Sequence, residues 1–196
     1  MSLQGVPPHQ VATIVTTLQM IARPKPAPLP SSHLRLVRWN KPAIAKYRAL
    51  FRRVGEPWLW FSRLVMADRA LIDIIHDDDI EVYAVTDPMG IEVGILELDF
   101  RSLPDCELSF FALIPELAGK GHGRWLMAHA QMLAWRVGVE RFWVHTCTLD
   151  HPTALGFYRR SGFIPCMRQV EIFDDPRLLG FLPREAAPHI PLMNQP

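Results

Sequence analysis

The sequence predicts an α/β protein with a mixed central sheet flanked by helices, and two patterns support this prediction. First, three strand-like segments follow one another at 80–86, 91–101 and 105–114. An Asp-Pro-Met-Gly turn signal separates the first two, so the three segments predict an antiparallel meander. Second, the last of them leads into a helical segment at 121–137 and then a strand at 141–147. Strand, helix and strand in this order predict a right-handed crossover that joins two parallel strands.

The segments before and after this centre extend the α/β pattern. Residues 11–20 are rich in β-branched residues and predict a strand, and the prolines that follow predict an extended linker. Before the meander we expect a strand at 34–39, a helix at 42–53 opened by Pro42, and an interrupted helical stretch at 56–75. After the crossover we expect a short helix within 151–162 and a last strand at 166–173.

The predicted elements divide the chain into three parts. Residues 1–30 hold the N-terminal strand and linker, 31–183 form the main domain, and 184–196 form a Pro-rich C-terminal tail. The last strand lacks a second neighbour in the sequence after it, so the strand at 11–20 is a candidate partner, within the same chain or across a homodimer.

The composition is that of an ordinary soluble globular protein. Lys and Arg number 21 against 20 Asp and Glu, and the net charge of +1 gives no electrostatic argument for a nucleic acid or membrane partner. Three cysteines at scattered spacings do not form a disulfide framework. No secretory leader or apolar run of transmembrane length is evident. We expect a cytoplasmic protein.

A glycine-rich segment, IPELAGKGHGRW at 114–125, joins the strand at 105–114 to the helix after it. Its alternating glycines let successive backbone N–H groups point inward without Cβ atoms in the way. Lys120 and Arg124 put positive charge at the positive end of the helix dipole, which becomes favourable when an anion binds there. The glycine spacing fits neither a P-loop nor a dinucleotide fingerprint. The segment predicts a diphosphate cradle, the alternative being a flexible surface loop.

The same segment resembles the signature of the GNAT (GCN5-related) N-acetyltransferases. AGKGHG at 118–123 matches both signature glycines, with Ala118 in the slot usually held by Arg or Gln. HPTALGFYRRSGF at 151–163 resembles the later motif of the family, with His151 in place of the usual asparagine. The matching positions of this motif are Pro152, Ala154, Phe157, Tyr158, Gly162 and Phe163. The resemblance covers roughly 34–173.

The resemblance implies a GNAT fold and an acetyl-CoA site between two splayed strands, the fourth and fifth of the family, here 105–114 and 141–147. It implies acetyl-CoA as co-substrate and no metal. The pantetheine arm would pair with the strand around Phe111 and Leu113, and the diphosphate would bind the glycine segment. The implied cofactor-binding residues of that segment and beyond it are Gly119, Lys120, Gly121, His122, Gly123, Arg124 and His151.

The resemblance also implies catalytic roles for two residues. Tyr158 would be the general acid for the departing thiolate, and its alternative role is packing beside Phe157. Glu107 would be the general base, and its alternative role is an exposed charge at the sheet margin. Glu97 is the second candidate for the base. Strand alternation places Glu107 on one face with Ser109, Phe111 and Leu113, and partial burial there would raise its pKa and make it a better base.

Two further residues are candidates for acceptor binding. Trp58 and Trp60 lie where GNAT proteins border the acceptor, and they could stack on an apolar group or hold an ammonium ion, or could simply pack in the core. His145, Cys147 and His151 match no common zinc spacing.

The resemblance to the GNAT family implies direct acetyl transfer to a small-molecule or peptide amine. The alternative is a non-catalytic acyl-CoA-binding module.

Overall fold

The computed structural model describes residues 3–25 and 27–193; residues 1, 2, 26 and 194–196, which fall in the predicted N-terminal segment and tail, lie outside this description. Seven strands within the described ranges form one sheet: β1 (Gln10–Met20), β2 (Arg35–Trp39), β3 (Ile80–Thr86), β4 (Glu92–Asp99), β5 (Asp105–Leu113), β6 (Arg141–Cys147) and β7 (Ile164–Asp174). They lie in the order β2-β3-β4-β5-β6-β1-β7. Every pair is antiparallel except β5 with β6, so the predicted meander and parallel crossover are confirmed.

Five α-helices of the described residues flank the sheet: α1 (Ile44–Gly55), α2 (Ser62–Val65), α3 (Asp68–Ile75), α4 (His122–Ala134) and α5 (Ala154–Arg160). Short 3-10 helices occupy Glu56–Trp58 and Pro115–Leu117. The predicted helical stretch at 56–75 is therefore interrupted as expected. None of these helices has the length and apolarity needed to cross a membrane.

The two faces of the sheet carry separate apolar clusters. On one face α1 buries Tyr47, Leu50, Phe51 and Val54, whose spacing of three and four residues makes one helical stripe, against Ile95 of β4. On the other face α4 buries Leu126, Ala130 and Ala134 against Leu98 of β4 and Phe142 of β6. The strands between them, β3 and β4, are buried along almost their whole length.

The N-terminal strand β1 lies inside the sheet, between β6 and β7 of the same chain. It pairs with both neighbours in antiparallel register, Leu18 opposite Val144 on one side and Thr13 opposite Glu171 on the other. Leu18 is completely buried. The same-chain alternative for this strand is therefore the one that the structure has, and the two edge strands of the sheet are β2 and β7.

Two sequence predictions need correction, one for the segment after α4 and one for the segment after β7. The helix predicted to reach residue 137 ends at Ala134, where Trp135 leaves the helical conformation with φ −83° and ψ 65°. Arg136 then stacks over Phe100, 3.5 Å from its ring centroid, and Val137 is fully exposed. After β7, Asp175 and Arg177 form a buried ion pair, and Arg177 also donates to the carbonyls of Ala186 and Ile190. Ala186 and Ala187, assigned to a tail, are consequently buried.

Candidate active site

The parallel strands β5 and β6 pair only where they begin. Register pairs join residues 105–107 to 141–143, and beyond this point the strands diverge. A cavity of about 230 Å³ lies between the diverging parts of the two strands. The sequence-predicted site residues that line it are Trp58, Trp60, Phe111, Leu113, Gly119, Gly123, His151 and Tyr158. The rest, Glu107, Lys120, Gly121, His122 and Arg124, lie outside its lining.

A β-bulge in β5 sets which side chains face the cavity. Leu98 of β4 pairs with Leu108 and Glu97 pairs with Phe110, so Ser109 is the extra residue. The bulge changes the alternation, and Glu107 shares a face with Phe110 rather than with Phe111 and Leu113. The predicted face of Glu107 was therefore wrong, because a strictly alternating pattern cannot anticipate a bulge.

The glycine segment forms an open bend before α4. Gly119 and Gly121 have φ angles of +75° and +87°, which side chains rarely adopt, and the space where a Cβ of Gly119 would project is empty within 4 Å. Lys120 and Arg124 are exposed, and neither forms an ion pair with a residue of the described ranges. Backbone donors, a helix N-terminus and unneutralised positive charge therefore meet at this bend.

His122 differs from its neighbours because its imidazole is engaged with the N-terminal segment. Its Nδ1 lies 2.9 Å from Ser32 Oγ, and the His33 ring packs edge-on against it. Burial, with the nearby His33 and Lys120, lowers the pKa of His122. Its backbone N–H, at the start of α4, is in place for an anion.

Tyr158 is placed by α5 at the inner wall of the cavity. Its ring packs against Phe111, Phe157 and Phe163, and no hydrogen bond to its hydroxyl is found among the residues that the structure describes. Burial, followed by the negative charge of Asp150, raises the pKa of Tyr158 well above its usual range. The phenol therefore stays protonated and can donate a hydrogen bond to a group in the cavity.

The two acidic candidates for the base have different surroundings. Glu97 is completely buried, with Tyr47 Oη donating to Oε2 at 2.6 Å and Arg63 Nη2 donating to Oε1 at 2.7 Å. Burial raises the pKa of Glu97 against the opposing charge of Arg63. Glu107 is partly exposed, and its Oε1 lies 3.6 Å from Nδ1 of His145 on β6. Of the two carboxylates, Glu107 is the one near the cavity.

An aromatic group borders the outer end of the cavity. The Trp58 ring lies between the imidazoles of His151 and His189, with ring centroids 5.2 Å and 5.6 Å apart. Nδ1 of His151 accepts the backbone N–H of Thr153 at 3.2 Å, which fixes the bend before α5 where the family usually has asparagine. His189 comes from the segment held by Arg177, a contribution that the sequence did not indicate.

Asp150 is the site residue that sequence reasoning missed. It lines the cavity, receives the Trp60 indole N–H on Oδ1 at 3.0 Å, and receives Thr146 Oγ1 and the Cys147 N–H on Oδ2. Its position immediately before the His-Pro motif was the available signal, because an aspartate at a strand end commonly caps the following turn. These bonds hold the Asp150 carboxyl group at the cavity wall.

No group of three or more His, Cys, Asp or Glu side chains in the described residues is placed to hold a metal ion. The donor set instead fits a thioester of CoA. The unpaired edge of β5 beyond residue 107 can pair with an amide-bearing arm, and the bend at Gly119–Arg124 can hold a diphosphate. This combination defines a class of α/β proteins that bind an acyl carrier between two diverging parallel strands.

Comparison with known protein families agrees with this class. A family model described as Acetyltransferase (GNAT) family matches residues 54–163, more than half of the chain. The chain belongs to the GNAT acetyltransferase family. The match includes the strands β3 to β6, the glycine segment and α5.

Solved structures with the same fold are similar to this chain at low identity. A GCN5-related N-acetyltransferase from Sphaerobacter thermophilus gives a TM-score of 0.57 at 15% identity, covering 83% of this chain and 52% of that one. A spermidine N-acetyltransferase variant from Vibrio cholerae gives 0.53 at 18% identity, covering 76% and 98%. A functionally unknown conserved protein from Staphylococcus epidermidis gives 0.56 at 14% identity, covering 85% and 63%. At such identities the likeness shows the fold alone.

The first two of the structures found are longer than this chain, which spans 63% and 52% of their lengths. No curated protein matches the chain in sequence.

Proposed function

We propose that this protein transfers the acetyl group of acetyl-CoA directly to an amine. The observation that carries the proposal is the cavity between β5 and β6, where the unpaired β5 edge, the glycine bend and the Tyr158 hydroxyl meet. A thioester threaded along β5 would put its diphosphate on the bend and its sulfur toward α5. Holding both reactants there removes most of the entropic cost of a bimolecular reaction.

Two side chains supply the proton chemistry of this proposal. Tyr158 donates a hydrogen bond to the sulfur as the C–S bond breaks; its raised pKa favours hydrogen bonding over full proton transfer, so the thiolate takes its proton from solvent. Glu107 supplies negative charge that favours proton removal from the amine, because it is not held in a buried ion pair as Glu97 is and it contacts His145, which lines the cavity.

The acceptor proposed is an amine attached to an apolar or aromatic group. Trp58 and Trp60 give the cavity wall two indole faces, and Asp150 adds one fixed negative charge that attracts an ammonium ion. A polycationic acceptor would need several acidic side chains, whereas Asp150 is the one carboxylate among the described residues that line the cavity.

The test is release of CoA from acetyl-CoA in the presence of individual amines, followed with a thiol reagent and confirmed by the mass of the acetylated product. The panel is phenethylamine, spermidine, kanamycin, a peptide with a free N-terminus and an N-terminally blocked lysine peptide. We expect amine-dependent release, fastest with phenethylamine. Binding of acetyl-CoA by calorimetry without release for any amine would identify a non-catalytic module. Absence of binding would overturn the site itself.

A further inference from the structure

Where β5 and β6 begin to diverge, two titratable side chains face each other across the opening. Glu107 on β5 is register partner to Trp143 on β6, and His145 lies two residues further along β6 on the same face. Glu107 Oε1 and His145 Nδ1 are 3.6 Å apart, an ion-pair distance slightly longer than a hydrogen bond. Such contacts commonly shorten when substrate binds.

The two side chains have unequal access to the cavity. His145 is among the residues that line it, and Glu107 is not. The Glu107 side chain is 24% exposed, against 50% for that of His145. An amine entering the cavity would therefore meet the imidazole, with the carboxylate behind it.

The arrangement also favours one tautomer of the His145 imidazole. A carboxylate beside Nδ1 favours the tautomer in which Nδ1 carries hydrogen, so the lone pair lies on Nε2. The same logic orients the histidine of a Ser-His-Asp triad. The hydrogen of the imidazole is thus held on the side of Glu107, and the basic nitrogen is directed away from it.

The charges around His145 are all negative on the elements packed against it. The adjacent carboxylate of Glu107 on β5 raises the pKa of His145 against the opposing effect of burial, and Asp150 after β6 and Glu171 of β7 raise it further. The neighbour on β1, Thr17, carries no charge. A higher pKa makes the neutral imidazole a stronger base and delays its deprotonation to higher pH.

We propose that His145 is the general base that removes the proton from the acceptor amine, and that Glu107 is a positioning residue that orients His145. The inference rests on the proposed acetyl transfer. In the reaction one N–H bond of the bound ammonium ion breaks and its proton goes to Nε2 of His145, which later returns it to solvent. The freed lone pair forms the N–C bond while the C–S bond breaks, and the nitrogen loses its second proton to solvent. The thiolate accepts a hydrogen bond from Tyr158 and takes one proton from solvent.

The experiment compares His145→Gln and Glu107→Gln with the wild type, using the fastest amine of the panel from about pH 5 to 10. We expect His145→Gln to lower kcat/KM by about 100-fold or more. It should also remove the fall of kcat/KM at low pH, which is the acid limb of the pH profile, and leave the Kd of acetyl-CoA unchanged. Glu107→Gln should lower kcat/KM by a smaller factor and move the acid limb to lower pH. An NMR titration of the His145 ring should show the same downward shift of its pKa in Glu107→Gln.

His129→Gln is the matched control, because His129 is a partly buried imidazole that packs edge-on against Trp125 in α4 and does not line the cavity. It should leave the pH profile unchanged. An active wild type with an unaltered His145→Gln profile would overturn this inference alone. A larger loss in Glu107→Gln than in His145→Gln, with no shift of the limb, would make Glu107 the base. A wild type inactive with every amine would overturn the proposed function.

Discussion

Trp60 donates its indole N–H to Asp150 at 3.0 Å, and this bond joins the segment after α1 to the segment after β6 across the mouth of the cavity. The Trp60 ring also packs on Phe110 and Phe51 at its inner side. Trp60 thus belongs to both the core and the cavity wall. Core packing and acceptor binding, which the sequence analysis gave as alternatives for Trp60, are therefore compatible. The bond also holds the Asp150 carboxylate, which raises the pKa of Tyr158, in a fixed position.

Trp60→Phe tests this bond because it keeps an aromatic ring and removes the N–H donor together with one ring of the indole, and a second Trp→Phe change that breaks no such bond controls for the lost ring. A hydrogen bond to a charged group contributes about 1.5–3 kcal/mol, and we expect a loss of stability of that size in urea unfolding. The KM of the amine should rise while the Kd of acetyl-CoA stays the same. Trp39→Phe is the control, since Trp39 lies on β2 under Lys46. An equal rise in KM for both variants would contradict the prediction.

Tyr158→Phe and Tyr47→Phe should have opposite effects. Phenylalanine preserves the aromatic packing of Tyr158, so removing the hydroxyl should cost little stability. It should lower kcat by about 100-fold, because the hydrogen bond to the sulfur is lost. The Tyr47 hydroxyl donates to the buried Glu97 outside the cavity. Removing this hydroxyl should therefore cost about 1.5–3 kcal/mol of stability and leave kcat unchanged. Thermal unfolding and steady-state kinetics of the two proteins measure both. Similar kinetics for Tyr158→Phe and wild type would exclude a catalytic hydroxyl.

Gly119→Ala tests the diphosphate cradle against a control with the same backbone. Gly119 and Gly138 both have positive φ, +75° and +91°, and a Cβ added to either glycine would meet no atom within 4 Å. Each alanine should therefore cost about 1–2 kcal/mol of stability through the left-handed conformation. Only Gly119→Ala should weaken acetyl-CoA binding in calorimetry, because only its Cβ would occupy the cradle. Equal affinities for the two variants would argue for a surface loop.

The meander, the parallel crossover and the class of fold could be predicted because hydrophobic periodicity and turn residues are local signals, whereas the insertion of β1 between β6 and β7 depends on long-range pairing. The glycine bend and Tyr158 could be found because their motifs are contiguous in the chain. The bulge at Ser109 could not, since residues 110–114 are all apolar and do not distinguish the two faces of the strand. Asp150 and His189 were missed because their roles depend on contacts with Trp60 and Trp58, which lie about 90 residues or more away in the sequence.

Leu18→Ala and Ile21→Ala test whether β1 is an integral strand of the sheet. Leu18 is completely buried between β6 and β7, and Ile21, just past the end of β1, is 70% exposed. Removing the buried side chain should cost about 2–5 kcal/mol, whereas Ile21→Ala should cost less than about 0.5 kcal/mol. Urea unfolding at equal protein concentration measures the difference. Equal stabilities would show that β1 contributes no packing.

The buried ion pair of Asp175 and Arg177 gives a prediction with a defined pH dependence. Burial alone would raise the pKa of Asp175, but the hydrogen bonds and charge of Arg177 outweigh it and lower that pKa below its usual 3.8. A carboxyl with a lowered pKa in the fold contributes stability that is complete above the unfolded pKa and is lost as the pH falls through the folded one. Asp175→Asn should therefore cost about 3–5 kcal/mol near pH 7, because it leaves Arg177 buried without its partner.

The neighbouring Asp174→Asn provides the control, because Asp174 is half exposed and contacts only Gln10 and His9 in weak surface interactions. It should cost less than about 1 kcal/mol at any pH. Urea unfolding of the three proteins from about pH 7 down to 3 should show the gap between wild type and Asp175→Asn constant at first and narrowing below about pH 4, as wild-type Asp175 becomes protonated. A gap that stays constant to the lowest pH would mean that charge pairing with Arg177 does not hold the C-terminal segment, and that the packing of Leu182, Ala186 and Ala187 holds it instead.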